Sequence, residues 1–397
     1  MKKLIVILLC ITMVGSLFAG CGGSGSSGKS DTIKIGSVHP LSGSMAYEGQ
    51  ALVNAQKLAV KEINDAGGIK ALDGKKLELV AQDNQGDASV ATSSTQSLIN
   101  DGVVALTGTF TSATCMTATQ EAEKAKMPFV VTVASATDLM DKGYKYSFRI
   151  QPNVDTYCAD FIEYLKEIKE DDLKTAAIIH EDSTYGTSIA EYIEKNIGDA
   201  GVEVIGNVAY SAAASSLSSE VTRLSQMGPD ILIPIGYYAD QSLMMKEIVE
   251  RKVEFPMTVG VANGAFSDAK FVRAFGSNAN DILDVNYSYN PNSDKTKTLL
   301  ESYKETFKDD MPVHAVYGYE SIKVIADALE RSGDVDSEAL RAALAETDMD
   351  DHVLPQKNIK FDETGENINA ASVLVQIQDG KRVIVYPKAY AEGKYQK

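Results

Sequence analysis

Short β-rich runs alternate with longer amphipathic stretches along most of this chain, and that alternation restricts the fold more than any other property. Ile33 to Val38 reads as a strand, and Gln50 to Asn64 then places Leu52, Ala55, Leu58, Ala59 and Ile63 at helical spacing. Leu77 to Val80 is the next strand, followed by a helix from Ala88 to Asn100. Val103 to Leu106 and Phe129 to Val131 are further strands, separated by a helix after Ser112. Asp65-Ala66-Gly67-Gly68 and Asp101-Gly102 supply helix stops, because glycine takes up the left-handed conformation at little cost. A second series begins near Thr175. It runs through strands at Ala176–Ile179, Val202–Ile205, Ile231–Ile233 and Met257–Val259, with helices from Ser188, from Leu217 to Met227 and from Asp240 to Arg251. Such βαβα order predicts an α/β fold: parallel sheets with helices on both faces. The chain is too long for one average core, so two Rossmann-like lobes are expected. No Ser- or Pro-rich linker separates the halves, which favours lobes assembled from discontinuous segments.

Tyr146 to Asn153 reads as a strand running into an extended Pro152 turn, the first crossing between lobes. A helix-rich block from Lys295 to Leu344 has no strand series of its own and is expected to pack back on the first lobe. Ala371 to Gln378 and Arg382 to Tyr386 flank Asp379-Gly380 as a closing hairpin. At the other end, Lys2 and Lys3 precede the apolar run Leu4 to Ile11, the pattern of a secretory signal. That run is too short, and too interrupted by Gly15 and Ser16, for a stable membrane span. Leu17-Phe18-Ala19-Gly20-Cys21 resembles a bacterial lipobox, in which small residues precede a cysteine that is diacylated and becomes the new N-terminus; Phe18 stands where Leu is commoner. An ordinary signal peptide with an incidental cysteine is the alternative. Gly22 to Gly28 then reads as a flexible tether.

The formal net charge is −17. That argues against nucleic-acid or anionic-membrane surfaces as partners, since no basic cluster overrides it. Apart from Cys10 and Cys21, only Cys115 and Cys158 remain; both fall near helix starts and read as unpaired buried thiols. His39, His180, His314 and His352 are scattered, no Cys or His spacing suggests a metal, and no cofactor motif is present. The nucleophile elbow, the phosphate-cradling loop and the dinucleotide fingerprint are all missing. His180-Glu181-Asp182-Ser183 holds acid–base residue types, but adjacent residues seldom form one site. The reading is a non-enzyme.

In order along the chain come Ile33-Lys34-Ile35-Gly36, Pro40-Leu41-Ser42-Gly43, Glu62-Ile63-Asn64-Asp65-Ala66-Gly67-Gly68-Ile69, Gly108-Thr109-Phe110-Thr111-Ser112, Ala134-Ser135-Ala136-Thr137, Tyr185-Gly186 and Gly236-Tyr237. None is specific alone, but together, from Thr32 to Pro387, they resemble the branched-chain amino-acid (Leu/Ile/Val) binding lipoproteins of ABC importers, with a type I periplasmic-binding fold. The resemblance implies two lobes joined by a three-strand hinge, with solute captured between them and delivered to a permease and its ATPase. It divides the chain into a signal peptide (1–20), a tether (21–31), a first lobe (32–150 plus 288–368) and a second lobe (151–287 plus 369–397). The product is expected outside the cytoplasm, as a monomer anchored to the cell membrane by lipid at Cys21, in a Gram-positive-type envelope. A ligand sensor uses the same fold and would need a downstream span or signalling domain.

Within that frame, Gly108 to Ser112 joins a strand to a helix start, where free N–H groups and the helix dipole favour a carboxylate. Ser112 either adds a hydroxyl to that site, as the resemblance implies, or only caps its helix. Ser135 matches a hydroxyl-bearing position that contacts the ligand zwitterion, with Val133 and Ala134 contributing backbone groups. Tyr185 and Tyr237, each beyond a strand end, match tyrosines that close over the ligand, and Phe110 and Tyr47 are candidate walls. Relatives place an acid for the ligand ammonium after the strand ending Val259-Gly260. Here that loop reads Val261-Ala262-Asn263-Gly264, so Asn263 offers a hydrogen bond without charge. Glu48 is either the substitute charge or a solvated lip residue. Leu, Ile or Val is the expected ligand, with another small carboxylate or amide as the alternative.

Overall fold

The computed structural model describes residues 32–170 and 172–396. The expected signal segment 1–20, Cys21 and the tether 21–31 lie outside the described residues. Among the described residues no helix is long and apolar enough to cross a membrane.

The first half builds β1 (Thr32–His39), α1 (Ala46–Asp65), β2 (Lys76–Asp83), α2 (Ala88–Asn100), β3 (Ala105–Gly108), α3 (Ser112–Lys124), β4 (Phe129–Val131) and β5 (Ser147–Arg149). Its five strands are all parallel, in the order β2-β1-β3-β4-β5. Ile33, Ile35, Leu106, Val130 and Val131 are buried under helices, as a parallel sheet covered on both faces requires.

The second lobe continues with α4 (Val154–Ile168), β6 (Thr175–Glu181), α5 (Thr184–Asn196), β7 (Glu203–Tyr210), α6 (Ser218–Met227), β8 (Ile231–Ile235), α7 (Tyr238–Arg251), β9 (Met257–Val261), α8 (Ala269–Phe275) and β10 (Leu283–Asn286). Three elements here, α4, α8 and β10, had no assigned bounds in the sequence reading. Helix α4 is amphipathic, burying Val154, Tyr157, Cys158, Phe161, Ile162 and Leu165, and starts at Asn153, whose side chain accepts from Thr156 N–H. Strand β10 is harder to see because buried Asp284 and Asn286 interrupt its apolar pattern. They bond to one another and to their surroundings: Ser267 Oγ donates to Asp284 Oδ2 at 2.6 Å, and Asn286 Nδ2 donates to the same oxygen at 2.9 Å and to the Asn263 carbonyl at 2.6 Å.

The chain then returns with α9 (Asp294–Phe307), α10 (Ala315–Ser332) and α11 (Ser337–Ala345), and with the two-residue strands β11 (Asp348–Met349) and β12 (Ile359–Lys360). As expected, this block packs on the first lobe. Tyr319 of α10 donates to Glu62 of α1 at 2.5 Å. The two helices meet so closely at Gly318 that a Cβ there would stand 2.5 Å from the Leu52 carbonyl oxygen. The last strands, β13 (Val373–Gln378) and β14 (Lys381–Tyr386), form the expected hairpin, with Asp379 and Gly380 both at positive φ as a type I′ turn requires. They extend the second sheet, whose order is β14-β13-β10-β9-β8-β6-β7.

Three segments therefore pass between the sheets: residues 150–153, 287–293 and 367–372. The first and third are stitched together. Arg149 N–H donates to the Gly365 carbonyl at 2.8 Å, Asn367 N–H returns to the Arg149 carbonyl at 3.2 Å, and Asn367 Nδ2 reaches the Ile150 carbonyl at 2.8 Å.

Candidate ligand-binding site

In the first sheet β3, β4 and β5 end side by side, and each is followed by a residue facing one cavity. After β3, Thr111 rather than Ser112 caps α3, accepting from Thr114 N–H at 3.3 Å. Ser112 is thus the first helical residue. Its Oγ accepts from Ala136 N–H at 3.2 Å, which ties the helix start to the loop after β4. The first-turn N–H groups of α3 have no intrahelical acceptors, and the helix dipole places positive potential there. The loop after β4 carries Val133 and Ser135, and after β5 the chain presents Gln151.

Buried Arg149 fixes this arrangement. Its Nη1 donates to the carbonyls of Ala134 (3.2 Å) and Ala136 (2.7 Å), while Nε and Nη2 pair with the Glu366 carboxylate, Nε at 2.9 Å. One cation thus holds the ends of β4 and β5 and the third crossing segment in one geometry.

The second lobe supplies rings. Tyr185, second residue of α5, donates to the Ala262 carbonyl at 2.5 Å. Helix α5 starts at Thr184, earlier than Ser188, because Glu181 accepts from Ser183 N–H at 2.7 Å and Gly186 N–H at 2.8 Å. Glu181 therefore anchors a helix start, which leaves the His180–Ser183 run a structural role. Tyr237 precedes α7 with its ring centroid 5.2 Å from Tyr185 and 5.7 Å from Phe110 of the first lobe. Gly236 beside it is required: a Cβ would stand 2.2 Å from the Tyr210 hydroxyl and 2.4 Å from Asp240. Tyr157 of α4 and Tyr287 after β10 meet edge to face at 6.3 Å.

Together these residues line one cavity, walled by Phe110, Ser112, Val133, Ser135 and Gln151 and by Tyr157, Tyr185, Gly236, Tyr237, Ala262, Gly264 and Tyr287. Six residues expected from the sequence converge there: Phe110, Ser112, Val133, Ser135, Tyr185 and Tyr237. Four do not line it. Ala134 is buried behind the wall, its carbonyl taken by Arg149. Asn263 turns inward to the second lobe, where Nδ2 donates to the Pro234 carbonyl and to Gln241, and Oδ1 accepts from Ala265 and Phe266 N–H. All its hydrogen-bonding capacity is used, so a role in holding an ammonium is not carried by this geometry.

Tyr47 spans the lobes nearer the surface, donating to Asp268 at 3.1 Å, with Lys270 Nζ 4.1 Å from its ring centre and Tyr238 at 5.5 Å. Glu48 is not a solvated lip residue: it is 2% exposed and its Oε2 has no partner. Burial, with Asp268 and Asp240 adding to it, pushes its carboxyl up to about 7. Neighbouring His314, hydrogen-bonded to the Glu48 backbone, is driven down to about 4 by burial, and His39 to about 3 by burial and by His314. Cys115 and Cys158 are buried and unpaired; burial raises the Cys115 thiol to about 11, away from reactive thiolate character.

Gln151, Tyr157 and Tyr287 are lining residues that the sequence reading did not select. For Gln151 the available signal was position: a polar residue just beyond a buried strand end, where open α/β sheets place their ligands. For Tyr157 it was a tyrosine on the apolar stripe of α4.

The profile of the family described as periplasmic binding protein matches residues 32–382. The chain is 30% identical over 393 residues to Leu/Ile/Val-binding protein homolog 7 of Brucella suis biovar 1 (strain 1330), covering 93% of this chain and 94% of that one. Among solved structures it resembles the branched-chain amino acid transporter substrate-binding protein LivJ of Streptococcus pneumoniae in complex with isoleucine, with a TM-score of 0.78, 25% identity and coverage of 90% and 100%. A solute-binding protein of an ABC transporter from R. palustris, in complex with benzoate, shares the fold at a TM-score of 0.78 and 20% identity, with coverage of 92% and 98%. With its two α/β lobes and the cavity they close between them, the chain belongs to the periplasmic binding protein family.

Proposed function

We propose that this protein is the extracytoplasmic capture component of an ABC importer, holding a small amino acid in the cavity between its lobes. The observation that carries this is the opposition of two chemistries across one cavity. Ser112, Ser135 and the α3 N-terminus offer hydroxyl and N–H donors suited to a carboxylate, and four tyrosines face them from the second lobe. The division that sheet membership supports is 32–150 with 288–368 for the first lobe and 151–287 with 369–397 for the second. Ligand contacts with both lobes favour the closed arrangement, which the permease and its ATPase then read. Anchorage by lipid at Cys21 and a monomeric state complete the reading.

Leu, Ile or Val suits the cavity's aromatic walls and the ligands named for similar proteins. The second reading is a small carboxylate without an amine. One observation favours it: among the described residues no acidic side chain lines the cavity. Isothermal titration against leucine, isoleucine, valine, benzoate and small amides separates the two. Binding of the three amino acids supports the first reading. Benzoate binding with no response to any amino acid overturns it.

A further inference from the structure

The cavity contains two polar side chains with nothing to bond. Gln151 is 1% exposed, lines the cavity, and has no partner for either Oε1 or Nε2. Tyr157 is fully buried, lines the same cavity, and its hydroxyl has no partner. Buried polar groups are nearly always satisfied, so two such groups lining one cavity mark a place where something else supplies the bonds. Their positions are fixed by the frame. Ile150 N–H donates to the Val131 carbonyl at 3.3 Å, setting Gln151 beside the loop that carries Ser135. Val154 N–H donates to the Ser135 carbonyl at 2.9 Å, which brings the first turn of α4, and Tyr157 within it, to the same loop.

Resting on the amino-acid reading above, we infer that Gln151 reads the ligand zwitterion as a neutral substitute for an acid. Its Oε1 accepts from the α-ammonium, its Nε2 donates toward the α-carboxylate, and the Tyr157 hydroxyl completes the ammonium's contacts. A carboxamide carries one acceptor and one donor side by side, and an α-amino acid presents the complementary pair on adjacent atoms. Asn263 cannot serve, since its amide is fully engaged. The Glu48 carboxylate, whose Oε2 has no partner, is the competing location, but Glu48 does not line the cavity.

The test uses the intact protein, with L-leucine and 4-methylpentanoate (the same molecule without its amine) as paired probes in calorimetry. Gln151→Met keeps the volume and removes both bonding groups. It is expected to weaken leucine about 30-fold, the scale of a hydrogen bond to a charged group, and 4-methylpentanoate only a few-fold. Gln151→Glu is expected to spare leucine, whose ammonium offsets the new charge, far more than the amine-free acid, whose carboxylate then faces another with no ammonium beside it. Equal losses for both probes in Gln151→Met, or an amine-dependent loss in Glu48→Gln instead, overturn the inference while leaving the amino-acid reading intact. Failure of leucine, isoleucine and valine to bind the wild-type protein overturns both.

Discussion

The two walls of the cavity are built on different principles. The first-lobe wall is made of loop ends beyond three adjacent parallel strands, and its polar cavity-facing groups are small: Ser112 and Ser135, with the Gln151 amide beside them at the start of the first crossing. Their placement is backbone placement, fixed by sheet register and by Arg149. The second-lobe wall is made of large rings on separate elements, Tyr157, Tyr185, Tyr237 and Tyr287. Their positions depend on ring contacts and on side-chain bonds such as that of Tyr185 to Ala262. The first wall is suited to recognising charge, because fixed donors need no reorganisation when a carboxylate arrives. The second is suited to covering it, because rings bury area with few torsions to order.

The largest way to break this difference is to remove the cation that fixes the first wall. Arg149→Met leaves Glu366 and two buried carbonyls without their partner, and is expected to cost about 3–5 kcal/mol in urea unfolding. A loss under about 1 kcal/mol would show that sheet register alone holds the loops. Next comes Glu48→Gln. The folded carboxyl titrates near 7, above its ordinary 4.5, so its contribution is present below pH 4.5 and is lost as pH rises through about 7. The permanently neutral amide should therefore stabilise the protein on the order of 2–3 kcal/mol at about pH 8 and hardly at all near pH 4.5. A stability difference that stays flat with pH between these points contradicts the assignment.

Smaller effects sharpen the contrast. Ser112→Ala is expected to weaken ligand binding by about 1–2 kcal/mol, with a lesser effect on unfolding. Because Thr111 caps the helix, an unchanged affinity would assign Ser112 only its bond with Ala136. Tyr185→Phe removes one hydroxyl bond within the second lobe and is expected to cost about 1 kcal/mol of stability. Its effect on binding should appear mainly in the ligand's off-rate, measured by stopped-flow; a change confined to the on-rate would place Tyr185 outside the closing wall.

The first wall was also the more legible in the sequence. Strand periodicity located the ends of β3 and β4, and with the resemblance this was enough to single out Ser112 and Ser135. Two of the tyrosines, Tyr185 and Tyr237, could be placed because they follow strand ends directly. Tyr157 could not, since it lies within a helix away from any strand end, and Tyr287 could not because the strand it follows, β10, was itself unseen. Strand β10 was hidden by Asp284 and Asn286, buried polar residues whose bonds to Ser267 and to each other are a tertiary fact. Asn263 misled for the same reason: composition shows an amide in the right loop, but not that four bonds already consume it. Glu48 looked like a surface residue by type and is buried by context.

The stitching of the first and third crossings by Arg149, Gly365 and Asn367 has a mechanical consequence. Two straps fastened along their length behave as one plate, so the lobes are joined at two lines of attachment: that plate and the single segment at 287–293. Bodies joined at two lines keep one soft rotation and resist twist and slide. Opening of the cavity is then expected to follow a single arc, with Gln151 near its pivot and Tyr47 far out on its radius.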